Sequence, residues 1–130
     1  MPTKQNNILL NKKLIGTTML EKADAPMGVA FGKIVFSNIS SGYSFFKDYC
    51  TANNVSFTDY PEDKFINTDN IPTLAIVDGA DKEINGQGCH IYGMDCDGFD
   101  ITVIGIPYPL YEMEFPHHCK SYAEMFNPKQ

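Results

Sequence analysis

The stretch Val29-Ala30-Phe31-Gly32-Lys33-Ile34-Val35-Phe36 is rich in β-branched and aromatic residues and contains no proline. Such a run predicts a β-strand that is buried on at least one face. Two serines, Ser40 and Ser41, follow as candidate helix N-caps. Beyond them, apolar residues recur at the spacing of one helical face, at Tyr43, Phe46, Tyr49 and Cys50. We therefore predict a strand over residues 29–36 and a helix over residues 42–52.

The segments on either side predict further strands. Residues 8–20 are apolar but interrupted by lysines and glycine, which indicates one or two short strands before the breaker Ala25-Pro26-Met27-Gly28. Residues 71–77 predict a strand whose early proline favours a sheet edge or a strand start. Residues 84–94 and 99–106 predict a hairpin that turns near Asp97-Gly98. These three consecutive strands are expected to form an antiparallel meander.

The remaining segments complete the expected fold. Residues 55–57 predict a short strand, and residues 60–70 predict a polar, acidic loop. Pro116 suits the first position of a closing helix, whose apolar face would carry Cys119, Tyr122, Ala123 and Phe126. The predicted fold class is α+β, a single globular domain over residues 1–130. It has a mainly antiparallel sheet of about five or six strands with two helices packed on it.

Length and composition are those of an ordinary globular protein. The chain has 130 residues, of which 43% are hydrophobic and 20% charged, so one conventional core is expected. Neither a secretory segment nor a membrane-spanning helix is recognisable near the start, where a polar stretch precedes a short apolar one. We therefore expect a cytoplasmic protein that does not bind a membrane. Its four cysteines are then expected to be reduced thiols.

Charge is distributed unevenly along the chain. Residues 1–50 carry six lysines against three acids, whereas the rest of the chain carries four lysines against thirteen acids. Arginine, the usual residue for bidentate recognition of phosphate and guanine, is absent. We therefore expect no nucleic-acid ligand. A basic protein is the more natural partner for the acidic part.

The acids are densest between residues 59 and 100, a stretch that contains ten acidic residues and only two lysines. Most fall in predicted turns, and turns at one end of a sheet can converge into a rim of carboxylates. Interleaved aromatic residues would supply anchors for a protein partner. The predicted partner-binding residues are Asp59, Tyr60, Glu62, Asp63, Asp69, Asp81, Glu83, Asp95, Asp97 and Asp100.

Cysteine and histidine form the only other suggestive pattern. Cys89 is followed by His90, and His117-His118-Cys119 lie near the end of the sequence. Adjacent side chains diverge by about 100° on a helix and 180° on a strand, so each adjacent pair is expected to supply one metal ligand at most. No catalytic residue, metal site or cofactor is therefore predicted. An acidic turn at residues 95–100 fails the EF-hand pattern, because it lacks the glutamate at position twelve.

Three functional hypotheses follow. The favoured one is a non-enzymatic inhibitor, an immunity-type protein that neutralises a basic partner such as a nuclease toxin through its acidic face. The alternative is a small cytosolic enzyme or metal-binding protein that uses the cysteines and histidines. The third is an oligomeric structural domain, a homodimer in its simplest form, in which exposed tyrosines and phenylalanines meet a second copy.

Overall fold

Nine β-strands and one α-helix make up the described part of the chain. The structure is a computed structural model that describes residues 5–24, 28–79, 82–84, 86–106 and Phe115. In chain order the elements are β1 (Asn6–Leu10), β2 (Lys13–Thr18), β3 (Lys22–Asp24), β4 (Val29–Phe36), α1 (Gly42–Asn53), β5 (Phe57–Tyr60), β6 (Phe65–Thr68), β7 (Leu74–Val77), β8 (Gly88–Met94) and β9 (Gly98–Ile104).

Strand β4, the predicted strand over residues 29–36, lies in the middle of the sheet. Its last residues, 34–36, pair with β2, and its first residues, 29–33, pair with β3 and β9. Eight strands follow one another in the order β5-β6-β8-β9-β4-β2-β1-β7, and β3 pairs with β4 beside this path. Every pairing is antiparallel. The sheet therefore has a first half (β4, β2, β1 and β7) and a second half (β9, β8, β6 and β5).

The expected α+β fold, with five or six strands and two helices, is wrong. The described residues form one antiparallel sheet of nine strands with a single helix. Residues 60–70 read as a loop because of their acids and Pro61, yet only residues 61–64 form a turn. Strand β6 follows at once, with Ile66 and Thr68 buried and Asn67 exposed between them. The predicted closing helix from Pro116, with Cys119, Tyr122, Ala123 and Phe126, lies outside the described residues.

The predicted hairpin near Asp97-Gly98 is confirmed, but the meander around it is not. Strands β8 and β9 pair from Gly88 opposite Ile104 to Met94 opposite Gly98. Strand β7 pairs instead with β1, and β6 takes the place beside β8. A hydrophobic pattern predicts a strand but not a distant partner, and this is why the sequence favoured the neighbour in the chain.

Helix α1 is confirmed and packs on the inner face of the second half of the sheet, against β6 and β8. Ser41 caps its start, since the side chain accepts a hydrogen bond from the Ser44 N–H. Asn54 ends it in the left-handed conformation, with φ 60°. Phe46 and Cys50 on the inner face of the helix are completely buried. They join the isoleucines of the strands in one hydrophobic core.

Candidate functional site

Two acidic turns lie side by side at one end of the second half of the sheet. Residues 61–64 connect β5 to β6, and residues 95–97 connect β8 to β9. Because Phe65 stands opposite Met94 in the β6–β8 pairing, both turns fall at the same end. The Asp95 N–H donates a hydrogen bond to the Lys64 carbonyl, with N and O 3.2 Å apart. We call residues 59–64 and 95–100 the acidic hairpin end. Its six carboxylates are those of Asp59, Glu62, Asp63, Asp95, Asp97 and Asp100.

Asp95 fastens the second turn to the start of helix α1. One carboxylate oxygen accepts a hydrogen bond from the Ser41 hydroxyl at 2.6 Å, and the other accepts one from the Tyr43 N–H at 3.0 Å. A carboxylate at a helix N-terminus satisfies a backbone N–H that has no partner within the helix, and it interacts favourably with the helix dipole. The turn and the helix are therefore held in one fixed arrangement.

Asp59 makes a second connection to the same helix. The hydroxyl of the buried Tyr43 donates a hydrogen bond to a carboxylate oxygen of Asp59, with the two oxygens 2.6 Å apart. The Lys47 ammonium lies 3.2 Å from the same carboxylate oxygen. Lys47 also donates to the Tyr43 hydroxyl oxygen at 3.0 Å. The hydrogen bond from Tyr43, assisted by Lys47, lowers the pKa of Asp59. The bonds to Tyr43 and Asp59 raise the pKa of Lys47.

Asp100 and the backbone of Asp97 share one lysine. The Lys33 ammonium lies 3.9 Å from an Asp100 carboxylate oxygen and donates to the Asp97 carbonyl at 3.2 Å. Asp100 stands opposite Tyr92 in the β8–β9 pairing. Partial burial raises the pKa of the Tyr92 hydroxyl, and the nearby carboxylate of Asp100 raises it further. The carboxylate of Asp100 is therefore engaged within the protein.

The other three carboxylates of the acidic hairpin end face solvent. Glu62, Asp63 and Asp97 lie at the tips of the two turns and are exposed. In the part of the chain that the structure describes, no side chain is bonded to their carboxylate oxygens. The acidic hairpin end therefore has three carboxylates bonded internally and three that point outward from a braced support.

Aromatic side chains accompany the outward carboxylates. Tyr60 is 57% exposed and stacks on Phe65, with ring centroids 5.5 Å apart. Tyr92, 40% exposed, belongs to the same outer face of the sheet, because it pairs with Asn67, two residues after Phe65 in β6. Exposed tyrosines next to charged groups are typical of protein-binding surfaces.

The other predicted partner-binding residues lie elsewhere or outside the described residues. Asp69 follows β6 at the end opposite to the two turns, about 13 Å away along a four-residue strand. Glu83 forms an isolated bridge with Val77 next to β7, which belongs to the first half of the sheet. Asp81 lies outside the described residues. Of the predicted residues that it describes, the structure thus excludes Asp69 and Glu83 and brings together Asp59, Tyr60, Glu62, Asp63, Asp95, Asp97 and Asp100.

The cysteine and histidine pattern divides between opposite faces of β8. Cys89 points into the core, opposite Val103, and burial raises the pKa of its thiol to about 12. His90 lies on the other face, opposite Thr102, and partial burial lowers its pKa. In the described ranges, no group of three His, Cys, Asp or Glu residues could hold a metal ion. His117, His118 and Cys119 lie outside these ranges.

Sequence reasoning missed the residues that brace the acids. Ser41 was recognised only as a helix cap, and Tyr43 only as an apolar position. The spacing of Tyr43 and Lys47, four residues apart on a helix, was a usable signal, because such side chains are neighbours. The contact of Lys33 with Asp100 is not predictable from the sequence, since it depends on the pairing of β4 with β9.

No protein-family model, curated protein or solved structure matches the chain. Within the described ranges, no helix has the length and apolar character needed to cross a membrane. The geometry of the acidic hairpin end is therefore the basis for a functional assignment.

Proposed function

We propose that this protein is a non-enzymatic inhibitor of the immunity type, which neutralises a basic protein such as a nuclease toxin. The acidic hairpin end would bind the partner. The observation that carries the proposal is the convergence of two turns from separate hairpins, which places six carboxylates near three lysines of the described part of the chain, Lys33, Lys47 and Lys64. Such a concentration of negative charge attracts and orients a basic partner during diffusional encounter.

The bracing of the turns supports a binding role. Asp95 and Asp59 connect the two hairpins to helix α1 and its N-cap through three hydrogen bonds and an ion pair. A surface that is already ordered loses little conformational entropy on binding, so more of the interaction energy contributes to affinity. Tyr60 and Tyr92 would supply the apolar contact area, while the carboxylates of Glu62, Asp63 and Asp97 would meet lysines or arginines of the partner.

We also propose that the protein acts in the cytoplasm. Cys50 and Cys89 are buried in the core as free thiols, where they pack as small apolar groups.

Burial raises the pKa of Cys50 to about 11 and that of Cys89 to about 12, so neither thiol is suited to nucleophilic chemistry. These properties support the preference for binding over catalysis.

The proposal is tested with two variants that each remove three negative charges. The test variant, Glu62→Gln with Asp63→Asn and Asp97→Asn, neutralises the outward carboxylates. The matched control, Asp48→Asn with Asp69→Asn and Glu83→Gln, neutralises three exposed acids elsewhere. Immobilised wild type and control are expected to retain the same basic protein from a native lysate of the source cells, and to release it at high salt. The test variant is expected to retain far less. Equal retention by both variants would refute the assignment of the site.

A further inference from the structure

A concave site, separate from the acidic hairpin end, lies on another side of helix α1. It is a cleft of about 350 Å³ between the β1–β2 hairpin, the loop after β4 and the helix. Leu10 and Ile15 form its buried base, with 4% and 5% of their surface exposed. Ile39, Phe45 and Tyr49 form its walls, and all three are only partly buried. We call this the apolar cleft.

Backbone and side-chain bonds hold the walls of the apolar cleft in place. The Ser37 N–H donates to the Ile15 carbonyl at 2.9 Å, which fixes the loop after β4 against β2. The Tyr49 and Thr73 hydroxyls are hydrogen-bonded to each other, which fixes the ring of Tyr49. Asn11 and Lys12, both at positive φ, form the tight turn of the β1–β2 hairpin. The apolar cleft is therefore a preformed site and not a gap between mobile segments.

Charge at the opening indicates the kind of ligand. Lys13 is the single charged residue among the described residues that line the apolar cleft, and it is exposed. Lys12, also exposed, precedes it in the turn. No carboxylate is among the described residues of the lining, so an anionic group at the opening would meet the positive charge of Lys13. The apolar base and walls would take the rest of the molecule.

We propose that the apolar cleft binds a small amphiphilic carboxylate, with an acyl or aryl body against Ile15, Ile39 and Phe45 and its carboxylate next to Lys13. The volume lies at the lower end of the range for small-ligand pockets, which also combine an apolar lining with a few polar groups. The proposal is independent of the acidic hairpin end, because the lining includes no residue of that surface. Failure of either proposal leaves the other untouched.

The test uses decanoate and decan-1-ol as probes, both below the concentrations at which they aggregate. Titration into the wild-type protein is followed by the methyl NMR signals of leucine and isoleucine. We expect saturable shifts at Leu10, Ile15 and Ile39, with decanoate bound at least several-fold more tightly than decan-1-ol. Reversal of charge by Lys13→Glu is expected to weaken decanoate binding about tenfold and to change decan-1-ol binding less than about twofold. The matched control Lys22→Glu, in β3 opposite Phe31 of β4 and outside the lining of the cleft, is expected to change neither.

A filling variant provides an independent readout. Ile39→Trp adds bulk inside the apolar cleft and is expected to abolish binding of both probes. The NMR signals of residues away from the cleft should remain those of the folded protein. If Ile39→Trp unfolds the protein, the location of the ligand-induced methyl shifts in the wild type still shows whether the probes bind in the apolar cleft. Shifts centred on any other surface, or no saturable binding, would overturn the proposal. Equal binding of the two probes with no effect of Lys13→Glu would also overturn it, because the carboxylate would then play no part.

Discussion

Helix α1 makes two contrasting kinds of contact with the sheet. Its inner face buries Phe46 and Cys50 completely in an apolar core. Its first two turns instead meet the acidic hairpin end through polar groups, with Asp95 bonded to the helix start and Asp59 to Tyr43. The first region excludes water and its contacts depend on shape, whereas the second lies at the surface and its bonds depend on direction and charge. We infer that the apolar contact supplies most of the stability and the polar contact sets the position of the acids.

The largest effect is expected from the apolar contact. Phe46 is fully buried and packs against Phe45 and Phe36, with ring centroids 5.1 and 6.2 Å away. Phe46→Ala removes this packing and leaves a cavity, so the free energy of unfolding should fall by about 3–5 kcal/mol. Chemical denaturation measures this change. The matched variant Phe45→Ala, at a half-buried position on the same helix, should cost clearly less. An equal loss in the free energy of unfolding for the two variants would show that burial does not determine how much each phenylalanine contributes to stability.

An intermediate effect is expected from the bond between the turn and the helix start. Asp95→Ala removes the acceptor for the Ser41 hydroxyl and the Tyr43 N–H. The loss should be about 1–2 kcal/mol, as for other helix caps. Chemical denaturation gives this loss, and amide hydrogen exchange should show faster exchange in the first turn of α1 than in its last. Asp97→Asn, in the same turn, keeps the backbone carbonyl that Lys33 uses and should leave both quantities almost unchanged. Uniform acceleration along the helix would contradict the local role of Asp95.

Much of this comparison depends on contacts that the sequence does not encode locally. The strand over residues 29–36 and the helix after it were predictable, because hydrophobic period and capping residues lie within a few positions of each other. The sequence predicts β5 only as residues 55–57, which is two residues too early. Strand β6 was not predictable, since a four-residue strand with polar residues at alternate positions resembles a loop. The convergence of the two turns depends on the pairing of β6 with β8, two strands separated in the chain by β7. The sequence identified the acids, but only this pairing shows which of them meet.

A smaller, pH-dependent effect is expected from the bond between Tyr43 and Asp59. The pKa of Asp59 lies below its ordinary value of 3.8, chiefly because Tyr43 donates to the ionised carboxylate. Its contribution to stability is therefore present above pH 3.8 and is lost as the pH falls through the lowered pKa. Tyr43→Phe removes the donor, so the difference in stability from wild type should be largest near neutral pH and should shrink in acid. Denaturation at several pH values tests this. A difference that stays constant down to low pH would show that the bond does not favour the ionised form.

The smallest effect on stability is expected from the outward carboxylates. Glu62→Gln, Asp63→Asn and Asp97→Asn together should change the free energy of unfolding by roughly 0.5 kcal/mol or less, because these exposed groups are bonded to no other described side chain. Thermal unfolding checks this value. A large loss of stability would mean that these acids help to maintain the fold, and the contrast between braced and outward carboxylates would then disappear.

The most direct test of the central claim is the association rate with the basic protein that the wild type is expected to retain. Stopped-flow mixing at low and at physiological ionic strength would compare wild type, the triple variant of Glu62, Asp63 and Asp97, and the triple control of Asp48, Asp69 and Glu83. Rim charges act mainly on encounter, so the first variant should associate about tenfold more slowly at low salt and with a much weaker salt dependence. The control should behave as wild type. Identical rates and salt dependences for all three proteins would contradict the claim that the acidic hairpin end recognises the partner.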